Sequence, residues 1–262
     1  MIGLAHSRME RLLLRVRPAA AASIAKAILR VRRREVKVRA GTFFVDPVSN
    51  LGAALIKTGE YESEMSDRIL SYLRPGMTFV DVGANEGYFT VLASSAVGAG
   101  GRVVAIEPQR RAVEVLKANV ALNGCVNVEV VKAAVGDVTG SLVLHLMPST
   151  NSGATSAVRP VRYPLRTEKV ALTRMDDLLT SLKIPSVDVM KIDVEGYELN
   201  VINGARESLG SGRVVCALVE LHPRQLRALG SSPQDVELSM RGLGFACSLG
   251  ENSLLCIHGS AP

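Results

Sequence analysis

From about residue 78 onward, apolar residues in this chain follow two alternating rhythms. Compact runs at Phe79 to Val82, Val103 to Ile106 and Val187 to Ile192 predict strands buried on both faces. Between the runs, apolar positions recur at helical spacing. Phe89, Leu92, Ala93 and Ala96 place one buried face on a helix over Tyr88 to Val97. A second helix is expected roughly over Arg110 to Leu122, ended by Asn123-Gly124, and a third over Glu198 to Leu209. Further strands are expected at Val126 to Val135, Val214 to Leu221, Phe245 to Leu249 and Ser253 to His258, the last two forming a terminal hairpin after a helix at Pro233 to Leu243. Strand and helix in alternation define an α/β fold. Two segments depart from it: the alternating run Ser141 to Met147 predicts an antiparallel strand, with Lys169 to Leu172 returning beyond a polar loop at Asn151 to Thr155.

Ahead of this pattern lies a different kind of chain. Residues 1–40 carry eleven Lys and Arg against two acids, so the net positive charge of the protein belongs to this segment and the remainder is slightly acidic. Helix is expected after Pro18, with Ile24, Ala27, Ile28 and Val31 on one face and Lys26, Arg30, Arg33, Arg34 and Lys37 on the other. Such a helix can rest on an anionic membrane surface, or its apolar face can cap the domain while its charges are solvated. The expected division is therefore a basic arm over 1–40 and a catalytic domain over 41–262, in which 41–77 forms a prefix or lid and 78–262 the core. In that prefix Tyr61 and Glu62 are polar candidates beside a site, just before a helix at Ser63 to Leu73.

Composition narrows the classes. A chain of 262 residues with 47% apolar content can bury one substantial core. Four cysteines without paired spacing argue for a reducing compartment and against zinc, and no apolar stretch reaches the length of a membrane span. The expected setting is cytoplasmic, with peripheral contact to a membrane through residues 1–40 as the one exception. Lack of tryptophan and the slightly acidic domain argue against a nucleic-acid partner.

Candidate chemistry begins where the first core strand ends. The turn Val82-Gly-Ala-Asn-Glu-Gly87 between strand and helix brings bare backbone and helix N–H groups toward a ligand. Gly83 and Gly87 permit unusual backbone angles, and Asn85 tolerates the left-handed region better than other side chains. Twenty residues after Gly87, Glu107 ends the next strand, placed to accept hydrogen bonds from both hydroxyls of a ribose. The turn lacks the Gly-x-Gly-x-x-Gly order of a pyrophosphate site and opens with a carboxylate, Asp81. A negative group there suits an amino or sulfonium group better than phosphates, which favours S-adenosylmethionine over NAD.

Two later strand tips add polar groups. Asp193 and Glu195 end the strand at Val187 to Ile192, where open α/β sheets bind ligands. Glu220 and His222 end the next and point to one side, and a histidine there is a natural general base. Asp137, after Gly136, is either a turn aspartate or a contact to an adenine amino group.

Taken together, Gly59-Glu-Tyr-Glu62, Val80-Asp-Val-Gly-Ala-Asn-Glu-Gly-Tyr-Phe-Thr90, Ile106-Glu-Pro108, Gly136-Asp137, Lys191-Ile-Asp-Val-Glu-Gly-Tyr-Glu198 and Val219-Glu-Leu-His222 resemble the FkbM family of S-adenosylmethionine-dependent methyltransferases. The resemblance covers about residues 41 to 258. It implies a Rossmann-like class I methyltransferase fold: a seven-stranded, mostly parallel sheet in the order 3-2-1-4-5-7-6 with the seventh strand antiparallel and helices on both faces. It also implies methylation of a hydroxyl group on a small molecule, such as a sugar hydroxyl of a glycolipid or glycosylated natural product, or a polyketide hydroxyl. By the same carry-over Asp81, Gly83, Asn85, Gly87 and Tyr88 hold the methionine end of the cofactor, Glu107 its ribose and Asp137 its adenine. His222 is the expected base, with Asp193 and Glu195 as the other catalytic candidates, and no metal is assigned. One rival has Asp193, Glu220 and His222 holding a magnesium ion; another is a non-catalytic module attached to a membrane or partner through the basic arm.

Overall fold

The computed structural model describes residues 6–16, 19–147 and 166–260. The polar loop expected at Asn151 to Thr155 lies outside the described residues. Seven strands form the central sheet: β1 (Thr78–Val82), β2 (Arg102–Ile106), β3 (Val128–Val131), β4 (Val187–Ile192), β5 (Val214–Glu220), β6 (Phe245–Leu249) and β7 (Ser253–His258). Their order across the sheet is 3-2-1-4-5-7-6. The pairs among β1 to β5 are parallel, whereas β7 runs antiparallel to both β5 and β6.

Alternation along each strand builds two cores, one per face. Val80 and Val82 of β1 join Val104, Ile106, Met190, Ile192 and Val219 beneath the helices Met175–Ser181, Glu198–Gly204 and Pro233–Gly242. Phe79 faces the opposite way, with Val103, Val189 and Leu218, under the helix Tyr88–Val97. Each fully buried aliphatic or aromatic side chain contributes about 1.5–3 kcal/mol, so the paired apolar faces leave little freedom of register. Strand register in turn fixes where the carboxyl ends of β1, β2, β4 and β5 lie, side by side at one edge.

Three expectations change. The third strand was expected to run to Val135, but Ala134–Val135 leaves the central sheet after Lys132 and pairs with Thr167–Thr173, which also pairs antiparallel with Gly140–His145. This small second sheet has its own core of Ala134, Leu144, Val170 and Leu172. In the N-terminal segment, helix is confined to Arg8–Leu13 and Ala19–Ile28, and Arg34–Val38 is a strand paired with Gly41–Val45. The reason is a period of two: Val36 is buried between exposed Glu35 and Lys37. The boundary expected at residue 40 therefore falls in a hairpin turn. A further helix, Asn50–Thr58, is capped by Ser49 and ended by Gly59 in the left-handed conformation. Finally, Cys247 and Cys256 face each other across β6 and β7 and form a disulfide, which removes the cysteine argument for a reducing compartment. Strand pairing, not spacing along the chain, brings the two sulfurs together.

Some of the basic side chains of the N-terminal segment are paired with acids rather than solvated. Lys26 bonds the fully buried Asp46, and Arg34 reaches Glu10. Arg33 donates from Nη1 to Glu86 Oε2 at 3.0 Å and bonds the other carboxylate oxygen through Nη2. Glu86 lies in the glycine turn that follows β1, so this pair ties the hairpin to that turn. Among the described residues no helix is long and apolar enough to cross a membrane.

Candidate active site

The turn after β1 is held open by backbone geometry. Gly83, Asn85 and Gly87 have φ of 84°, 48° and 88°, all left-handed. A Cβ on Gly83 would stand 1.8 Å from the carbonyl oxygen of Asp193, so only glycine allows β1 and β4 to close this tightly. Gly83 and Ala84 donate their N–H groups to the Ile106 carbonyl, which locks the turn to the end of β2.

Glu107, the next residue, is fixed by the same backbone. Its Oε2 accepts from Asn85 N–H and its Oε1 from Gln109 N–H, each at 2.9 Å. Each oxygen keeps a further lone pair, and the side chain lines a cleft. Burial pushes its carboxyl up to about 7, against the two backbone hydrogen bonds that pull it down.

That cleft encloses about 870 Å³ of empty space, including its mouth. At one end Ile106, Ala133, Ala134, Val135, Leu142 and Leu144 make an apolar slot. At the other, Tyr61, Glu62, Asp193, Glu195 and Glu220 make a polar wall. Glu107 lies between an apolar surface suited to a flat base and a polar wall rich in carboxylates. A nucleoside bearing a cationic sulfonium fits this layout by shape and by charge.

The remaining expected cofactor residues are placed less uniformly. Asn85 and Gly83 line the cleft, whereas Gly87, Tyr88, Asp81 and Asp137 do not. Gly87 packs against Leu116, where a Cβ would approach Cδ1 to 2.4 Å. Tyr88 is buried among Phe43, Tyr61 and Phe89, with ring centroids 5.3–5.5 Å away. Asp81 is fully buried beneath the turn: Thr90 donates to its Oδ2 at 2.7 Å, while its Oδ1 has no hydrogen-bond partner and lies 3.7 Å from Lys191 Nζ. Asp137 is exposed and accepts from Asn200 at 3.3 Å. The slot residues from Ala133 to Leu144 were not expected, because the small second sheet that presents them was not expected to leave the central one.

Polar groups at the tips of β4 and β5 converge. Lys191 is buried, with Nζ 3.0 Å from Asp193 Oδ2; burial opposes its charge, but Asp193 and Asp81 outweigh that and raise its pKa. Glu195 is turned into the cleft by a left-handed backbone, φ 52°, and accepts from Gln225 Nε2 at 2.9 Å. His222 stands beside them, its Nδ1 2.7 Å from Oε1 of fully buried Glu198. Its Nε2 lies 3.8 Å from Asp193 Oδ1, 3.7 Å from Glu195 Oε2 and 3.8 Å from Glu220 Oε1. Burial would lower the imidazole, yet the Glu198 hydrogen bond and the charges of Glu195 and Asp193 push it up to about 9. Burial likewise pushes Glu195 and Glu220 up to about 7. Glu198 escaped sequence reasoning: an acid opening a helix reads as a dipole partner, and its histidine lies on another strand tip.

A sheet ordered 3-2-1-4-5-7-6 with a glycine turn after its first strand and a cleft-lining acid after its second defines a class I, Rossmann-like methyltransferase. The chain belongs to a particular family within that class: the Methyltransferase FkbM domain matches residues 81–247, from the glycine turn through both later strand tips. It is an S-adenosylmethionine-dependent methyltransferase. The family of protein-L-isoaspartate(D-aspartate) O-methyltransferase also matches, over residues 7–139, a range that stops before the tips of β4 and β5.

Solved structures share the fold at low identity. An S-adenosylmethionine-dependent O-methyltransferase from Thermotoga maritima is 13% identical over 87% of this chain and 78% of its own, with a TM-score of 0.46. Precorrin-6y C5,15-methyltransferase from Geobacter metallireducens is 15% identical over 77% and 89%, TM-score 0.45. Fibrillarin from Aeropyrum pernix, with natively bound S-adenosylmethionine, is 13% identical over 86% and 81%, TM-score 0.42. No curated protein matches the chain at a significant level.

Proposed function

We propose that this enzyme methylates a hydroxyl group of a small molecule, a sugar hydroxyl of a glycolipid or glycosylated natural product being the acceptor its site suits best. The observation that carries the reading is the convergence of Asp193, Glu195, Glu220 and His222 at the polar end of the cleft that Glu107 and the apolar slot define. Carboxylates on that wall can accept hydrogen bonds from a polyhydroxylated acceptor, and they exclude phosphate-rich ones by charge.

S-adenosylmethionine supplies a methyl group already activated on its sulfonium. Glu107 would accept from the ribose hydroxyls, Gly83, Asn85 and Gly87 would shape the turn around the methionine end, and the slot from Ile106 to Leu144 would take the adenine. Asp81 acts from beneath the turn, by holding Lys191 and Thr90, and Tyr88 supports that turn from the aromatic core. Asp137, exposed and bonded by Asn200 outside the cleft lining, has no assigned contact to the cofactor. Asp193, Glu195 and His222 are the catalytic groups: together they hold the acceptor oxygen in line with the methyl group, and the expectation of His222 as the base gives way to the carboxylates. With His222 held protonated to about 9, the carboxylates carry the proton uptake at neutral pH.

Residues 1–40 would add a surface contact to the domain over 41–262. Met9, Leu12, Ile24, Ile28 and Leu29 are exposed, and exposed Arg8, Arg11, Arg15, Arg30 and Arg32 accompany them in the same segment. Apolar side chains accompanied by basic ones favour an anionic membrane surface, consistent with an enzyme working on a lipid-linked acceptor. Co-sedimentation with anionic but not neutral vesicles is the expected result.

Calorimetry with S-adenosylmethionine separates an enzyme from a non-catalytic module, which would give no heat of binding. Methyl transfer from labelled cofactor to a panel of glycosides, with no transfer to the same glycosides blocked at their hydroxyls, tests the acceptor class.

A further inference from the structure

We propose that Asp193, Glu195 and His222 bind a divalent cation of the Mn²⁺ or Mg²⁺ class, with Glu220 beside it and the acceptor oxygen as a further ligand. The inference rests on reading these side chains as the acceptor end of the site. It concerns what they do before any acceptor arrives.

The first observation is spacing. One ligand atom from each of the three residues lies within 4.8 Å of the others. His222 Nε2 faces three carboxylate oxygens at 3.7–3.8 Å, all beyond hydrogen-bond reach. Atoms that each sit about 2.1 Å from one ion lie roughly 3 to 4 Å from one another. The gap is too wide for direct hydrogen bonds and right for a shared cation.

The second observation is orientation. Imidazoles that bind metals usually donate their other ring N–H to a carboxylate. His222 does so: Nδ1 is 2.7 Å from Oε1 of Glu198, which is wholly buried and also accepts from Gly196 N–H at 2.9 Å. Nε2 is thereby directed at the three carboxylates. The candidate ligands are themselves held, Asp193 by Lys191 and Glu195 by Gln225. Glu220 lines the same cleft, and its buried Oε2 has no hydrogen-bond partner.

Charge points the same way. Lys191 and His222 stand among Glu62, Asp193, Glu195, Glu198 and Glu220. A donor set of one imidazole and several carboxylates suits hard or intermediate divalent ions rather than thiophilic ones. A cation so placed would bind the acceptor oxygen and make its proton easier to lose. In the transfer the oxygen forms its bond to the methyl carbon as the carbon–sulfur bond breaks. The sulfur keeps that electron pair, and the hydroxyl proton passes to Glu220 or water.

The test uses Mn²⁺ alone with the full chain, by electron paramagnetic resonance and by calorimetry. One Mn²⁺ per chain is expected. His222→Ala and Glu195→Gln should weaken it at least 10-fold, and Glu198→Gln, which only positions the ring, by about 10- to 100-fold. Mn²⁺ should also raise the melting temperature of the unsubstituted protein, a readout that no variant's folding affects. Glu251→Gln, in the adjoining acidic groove, should bind as the unsubstituted protein does. No binding at millimolar Mn²⁺, or equal weakening by Glu251→Gln, overturns the inference, because it means no site or only diffuse attraction. S-adenosylmethionine binding and methyl transfer measured in chelator then report separately: if both persist without Mn²⁺ binding, the O-methyltransferase reading stands and the cation alone is lost.

Discussion

The two halves of the cleft are made of different material. The half proposed for the cofactor is backbone: three left-handed residues within five positions, amides locked to the Ile106 carbonyl, and a carboxylate pinned by two N–H groups. The half proposed for the acceptor is side chain: five carboxylates, an imidazole and a lysine drawn from four segments. A ligand common to all methyltransferases can be gripped by geometry that tolerates no substitution. The acceptor meets groups that titrate.

This contrast breaks first, and most completely, at Gly83. Gly83→Ala places a methyl group 1.8 Å from the Asp193 carbonyl in a conformation, φ 84°, that L residues resist. A loss of about 3 kcal/mol or more in denaturant unfolding is expected, with cofactor binding abolished. Gly98→Ala, at φ 65° with open space around it, should cost only about 1 kcal/mol and leave binding intact. Equal effects at the two positions would mean that the turn is not a tight closure.

His222→Ala comes next. Turnover should fall by about 10²-fold, through loss of acceptor positioning, while cofactor affinity moves little. A parallel loss of affinity would erase the division between the halves. Glu107→Gln should do the reverse: cofactor affinity weaker by roughly 10- to 100-fold, since hydrogen bonds to a charged group are worth about 1.5–3 kcal/mol each, and turnover at saturation close to normal.

The same division decides what could be read from residue order. The glycine turn and Glu107 were legible because neighbours in sequence are neighbours in space there, and a strand tip followed by a helix start has few other uses. The strand runs were legible as buried apolar segments. Glu198 was not, because its meaning depends on His222, 24 residues away beyond the end of β5. Leu142 and Leu144 were visible only as one face of an alternating strand; that this face roofs the cofactor slot depends on Ala134–Val135 leaving the main sheet. Arg34–Val38 looked helical because its basic residues matched the face before it, although its single buried Val36 carries the period of a strand. The Cys247–Cys256 bridge was hidden for the same reason as Glu198: a pairing across strands has no signature in spacing.

The smallest and most diagnostic effect is a pair of opposite pH slopes at Glu107. Its carboxyl sits at about 7 in the folded protein, above the ordinary 4.5, because burial disfavours the charge. Between those values the folded state holds a proton that the unfolded chain releases. Stability of the cofactor-free protein should therefore fall as pH rises from about 4.5 to 7, by the amount this one group contributes. Cofactor affinity should move the other way. Accepting from both ribose hydroxyls requires the carboxylate, so binding below pH 7 must expel the proton and weakens by up to about tenfold per pH unit. Glu107→Gln carries no titrating group and should flatten both slopes together, read by thermal unfolding without cofactor and by calorimetry with it. A flat affinity profile in the unsubstituted protein would show that Glu107 supports the turn through Asn85 and Gln109 and does not touch the ribose.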